Sequence, residues 1–145
     1  MRGAIALALL ALLANTQGLA QPAEQRRDEL ILEALIRSLA REYCKGDVCY
    51  FSVEESRPSD RLVKRLESSS LLAVPAGGFT MRNRAKEYQW LLDVGPVVLQ
   101  PDGQARVGGD VRAIGGPLFM SCSYLLRRTD TGWRVIAKDT SCAII

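Results

Sequence analysis

Asp93, Arg112 and Tyr88 are the side chains of this sequence that could do chemistry. Asp93 lies in Trp90-Leu91-Leu92-Asp93-Val94, an otherwise apolar stretch. A carboxylate held there away from water would have its pKa raised by desolvation and could serve as a general base in a pocket. Arg112, in Val111-Arg112-Ala113-Ile114, could recognise an anion, because a guanidinium grips a carboxylate or phosphate through two parallel hydrogen bonds. Tyr88, like Arg112, could support Asp93 as base. Strand alternation offers a plainer and preferred arrangement. It turns Asp93 outward with Leu91, sets Trp90, Leu92 and Val94 inward, and makes Arg112 an outward-facing strand arginine. Asp110 and Glu87 have no stronger case. Tyr88, Trp90 and Trp133 could line a binding surface, although aromatic residues in a small core are the commoner explanation.

The chain of 145 residues has no histidine. That removes the commonest general base and every histidine metal ligand, so histidine triads and histidine-ligated zinc hydrolase sites are excluded. The run Ser68-Ser69-Ser70 therefore lacks a base and reads as a flexible linker. No P-loop or dinucleotide fingerprint occurs, and the Gly-Gly pairs at 77–78, 108–109 and 115–116 lack the strand-to-helix context of a phosphate cradle. No cofactor and no metal are expected.

Four cysteines, Cys44, Cys49, Cys122 and Cys142, form an even set with three possible pairings. Cys44 and Cys49 enclose Lys45-Gly46-Asp47-Val48, a turn short enough to bridge locally, which leaves Cys122 for Cys142. The final hairpin opposes that second pair. With Thr129-Asp130-Thr131-Gly132 as its loop, Arg128 faces Trp133, Cys122 faces Asp139 and Cys142 faces Phe119. An offset of three residues is about 10 Å along a strand, too far for a bridge without a bulge or bend. Cys44–Cys49 with Cys122–Cys142 is the preferred pattern, and the other two remain open.

The disulfide reading rests on export. Met1-Arg2, the apolar run from Ala4 to Ala14 and the small residues Gly18-Leu19-Ala20 have the order of a secretory signal peptide. Eleven apolar residues span only about half a hydrocarbon core, so no stable membrane anchor is expected after cleavage. Residues 1–20 are read as a cleaved leader and 21–145 as one domain, periplasmic or secreted. Losing Arg2 takes the formal charge from +3 to +2, and the arginines look scattered among acids, so nucleic acid is not an expected partner.

Ala23 to Tyr43 reads as an amphipathic helix, with Ile31, Leu32, Leu35, Ile36 and Leu39 recurring at three- and four-residue spacing. Val48 to Glu54 reads as a strand, and Ser59-Asp60 caps a second helix with Leu62, Val63 and Leu66 on its apolar face. Strands follow at Tyr88–Val94, continuing through Val97–Gln100, then at Ala105–Ile114 with Gly108-Gly109 as a bulge. Leu118–Arg128 and Trp133–Ile144 form the last hairpin. Short turns between them predict an antiparallel meander with two N-terminal helices packed on one face, an α+β fold.

Within that hairpin, Tyr124-Leu125-Leu126-Arg127-Arg128, the turn Thr129-Asp130-Thr131-Gly132 and Trp133-Arg134-Val135-Ile136 resemble the closing hairpin of NTF2-like and cystatin-like domains. The chain is also similar to small exported bacterial proteins with a helix, a sheet and this ending. The NTF2-like resemblance implies a pocket enzyme with Asp93 as base and Arg112 or Tyr88 in support. The residues themselves favour a non-catalytic exported module that binds a protein or small ligand, in the manner of an inhibitor, immunity protein or envelope factor.

Overall fold

The computed structural model describes residues 22–75, 89–114 and 116–144. Residues 22–39 are α-helical (α1), and the helix widens into a π-helical turn over Ala40–Cys44. Ile31, Leu35, Ile36 and Leu39 are at most 1% exposed, as the three- and four-residue spacing predicts. Gly46, at φ 97°, reverses the chain so that Cys44 bonds to Cys49 at the head of β1 (Cys49–Val53). A second helix, α2 (Asp60–Leu66), starts at Ser59, whose hydroxyl accepts the Leu62 N–H at 3.3 Å. The strands β2 (Leu71–Ala73), β3 (Gln89–Leu99), β4 (Ala105–Ile114), β5 (Phe119–Thr129), β6 (Gly132–Lys138) and β7 (Ala143–Ile144) follow.

All seven strands among the described residues belong to one sheet of order β2-β1-β3-β4-β5-β6, with β7 beside β5. From β3 to β6 it is the expected antiparallel meander. The whole is nonetheless a mixed sheet, because β1 runs parallel to both β2 and β3. The cause is α2. It falls between β1 and β2 rather than ahead of the sheet, and a helical crossover returns the chain to the end from which it started. Leu35, Ile36 and Leu39 share one buried cluster with Phe51, Leu92, Val107, Val111 and Leu126.

The bulge predicted at Gly108-Gly109 lies one strand away. On its β5 side β4 pairs without interruption through both glycines, and the register shift is in β3, between Val94 and Val97, opposite Gly108. The glycines are needed for space. A Cβ on Gly109 would stand 2.8 Å from Cε2 of Tyr124, and one on Gly108 would stand 3.0 Å from the carbonyl oxygen of Gly95. The serine run is a compact turn rather than a flexible linker, with the Ser68 hydroxyl accepting the N–H of Leu71 at 3.2 Å.

The final hairpin keeps the expected Arg128–Trp133 pairing, but Thr129 also pairs with Gly132, so its loop is only Asp130-Thr131. The three-residue offset between the cysteines is then removed in two steps. A bulge at Ile136 shifts the partner of Leu125 to Ala137, and a turn at Asp139–Ser141 restarts pairing with Ser121 opposite Ala143. Cys122 and Cys142 thereby come face to face and bond across a Cα separation of 4.5 Å.

Candidate functional site

Asp93 and Arg112 both lie on the sheet face opposite the buried Leu92 and Val94. Register aligns Ser52, Asp93, Asp110 and Ser121 in one row across four strands, with Tyr50, Leu91, Arg112 and Phe119 in the next. Two carboxylates directly opposed on neighbouring strands repel one another unless each finds its own partner. Asp93 Oδ1 accepts the Ser52 hydroxyl and, at 2.9 Å, the backbone N–H of Glu55. Asp110 Oδ2 lies 3.4 Å from Arg112, which also reaches Glu55 at 3.5 Å and lies over the Phe119 ring at 4.9 Å.

These contacts give the row a structural task. Glu54 and Glu55 have φ of 50° and 61°, left-handed values that few side chains adopt, in the tight turn closed between Val53 and Ser56. Asp93 pins that turn, and Arg112 ties it to β4. The strand register thus brings these two residues to one face, where they hold each other's surroundings. Tyr88 and the leader at 1–20 lie outside the described residues.

Tyr43, Tyr124 and Lys138 form a second polar cluster. Lys138 donates to the Tyr43 hydroxyl at 3.1 Å and lies 6.0 Å from the Tyr124 ring. Burial pushes both phenols up to about 12, with Glu42 adding to the rise at Tyr43. Neither phenol exchanges a proton readily at neutral pH. Among the described residues, no group of three His, Cys, Asp or Glu side chains is placed to hold a metal ion. No helix among them is long and apolar enough to cross a membrane.

The third arrangement is a groove of about 680 Å³ between the outer side of α1 and the tip of the β5–β6 hairpin. On α1, Ala23, Arg26, Leu30, Ala34 and Arg37 line it, at spacings that share one helix face. Across from them stand Arg128, Thr131, Gly132 and Trp133. An adjoining depression shares Ala34, Arg37 and Trp133 and adds Arg41 and Arg134. With Arg27, six arginines therefore gather there against one lining acid, Glu33, and Arg27 is itself paired with Asp28 at 3.0 Å. Counting Glu33 and the Asp28 that pairs Arg27, six cations less two anions leave a net +4, in a chain whose total formal charge is +3. Glu33 is already engaged by Arg37 at 3.0 Å and by Arg65 at 2.9 Å. Among the described residues, Arg26, Arg41 and Arg128 form no ion pair.

The arginines are not scattered, as their order along the chain implies. Helical spacing collects those of α1, and the hairpin brings Arg128 and Arg134 to the same place. The floor is apolar, since Leu30 is 43% exposed and Trp133 is half-buried against the core. Concave, basic and apolar-floored, the groove can hold an anion that also carries an apolar group. Asp93 does not line it. No protein-family model, no curated protein and no solved structure matches this chain.

Proposed function

We propose that the protein is an exported, non-catalytic binding module, with the arginine-rich groove between α1 and the β5–β6 hairpin as its recognition surface. The observation that carries this reading is the concentration of charge. Like charges crowded on one surface repel and cost stability, so a ligand of opposite charge that relieves them binds favourably. In this reading residues 1–20 are a cleaved signal peptide, and 21–145 form one domain whose two helices cover one face of the sheet. Two disulfides agree with an oxidising destination, periplasmic or secreted. The carboxylate-base alternative of the NTF2-like kind draws less support, because Asp93 Oδ1 is occupied by the turn it pins.

The test is an affinity capture from envelope and culture fractions with two baits, the oxidised protein and its Arg26→Glu/Arg128→Glu variant. A partner held stoichiometrically by the first bait and released by the second supports the reading. Identical captures by both would refute it.

A further inference from the structure

We infer that the ligand of the groove is an acidic peptide segment with one apolar anchor residue, a specification that rests on the binding-module reading. The charges come first. Guanidinium groups match carboxylates in a planar, bidentate geometry, and all the cations here are arginine. Along α1, Arg26 and Arg41 are fifteen residues apart, about 22 Å, which is the span of about seven residues of extended peptide. Leu30 lies between Arg26 and Arg37, opposite Trp133, and the small side chains of Ala23 and Ala34 leave room beside it. The site therefore offers one apolar contact flanked on both sides by positive charge.

Other occupants fit less well. A membrane presents a plane of headgroups, which a concave groove cannot follow. Single-stranded nucleic acid stacks successive bases on several aromatic side chains, whereas Trp133 is the one aromatic residue lining the groove. Residues 1–21 of the chain carry Arg2 and no acid. A second copy does have an acidic side, around Glu24, Glu29 and Glu54, but that surface is itself concave.

The experiment uses the oxidised protein and fluorescein-labelled peptides of about seven residues, read by anisotropy. One peptide is all Asp and Glu around a central Leu, and a second replaces that Leu with Ser. The Leu peptide is expected to bind roughly tenfold or more tightly than the Ser peptide, from burial of the anchor. Its binding should weaken as salt is raised and fall at least about tenfold in Arg26→Glu/Arg128→Glu. Circular dichroism and the urea midpoint of that variant establish that it folds. Equal binding of the two peptides would overturn the anchored-peptide inference and leave an anion-binding groove standing. So would tighter binding of single-stranded DNA or of phosphatidylglycerol vesicles. Concentration-dependent self-association lost in the same variant would replace the peptide with a second copy. Peptide binding that the variant retains would sink both the inference and the reading beneath it.

Discussion

Asp93 Oδ1 accepts the backbone N–H of Glu55 at 2.9 Å, and through this bond a strand carboxylate holds a turn of two left-handed residues. Asp93→Ala leaves that N–H and the Ser52 hydroxyl without their acceptor. A loss of about 1–3 kcal/mol in urea unfolding is expected, with peptide binding to the groove unchanged. Ser52→Ala, which removes only one of the two bonds, should cost less. A pocket enzyme using Asp93 as base would instead lose activity with little change in stability.

The two disulfides should contribute unequally. Cys122–Cys142 closes a separation of 20 residues and Cys44–Cys49 one of 5. In the chain-entropy account, Cys122→Ser/Cys142→Ser should cost about 3 kcal/mol and Cys44→Ser/Cys49→Ser about 2. Urea midpoints of the two double variants compare them directly.

That second bridge shows where the sequence is legible and where it stops. The pairing of Arg128 with Trp133 is readable from a turn-forming stretch between strand formers. The bulge at Ile136 is not, because Val135-Ile136-Ala137 is apolar throughout and nothing marks the extra residue. The core face of α1 and the Ser59 cap are local patterns, and both are legible. The parallel placement of β1 is not, since its partners Leu71–Ala73 and Gln89–Leu99 are chosen by packing at a distance. The groove divides in the same way. Arg26, Leu30, Arg37 and Arg41 share a helix face by spacing alone, whereas Arg128, Arg134 and Trp133 join them only in the folded chain.

Asp139 holds the turn that sets Cys142 opposite Cys122. Its Oδ1 accepts the Ser141 N–H at 3.0 Å and the Ser141 hydroxyl at 2.8 Å, and these bonds, the backbone one foremost, lower its pKa from 3.8. A carboxylate depressed by folding binds fewer protons folded than unfolded, so its contribution is present above 3.8 and is lost as pH falls through the lowered value. Asp139→Ala should therefore lower the urea midpoint at neutral pH, and the gap from the parent should close in acid.

The buried phenols predict the opposite dependence. Tyr43 and Tyr124 rise from 10.0 to about 12 in the folded chain, chiefly by burial. An unfolded chain releases those protons first, so stability holds below pH 10 and declines between there and about 12. Ultraviolet titration of tyrosinate should show Tyr43 and Tyr124 ionising late, with unfolding close behind.

The central claim is that ligand is bound in the groove against Trp133, and Trp133 can report it. The protein has two tryptophans, so Trp90→Phe leaves Trp133 as the sole indole emitter. Titrating that variant with the acidic leucine peptide should shift Trp133 emission saturably to shorter wavelength, and adding Arg26→Glu/Arg128→Glu should abolish the shift. Saturable binding by anisotropy with Trp133 emission unmoved would contradict the account, because the ligand would then be held elsewhere.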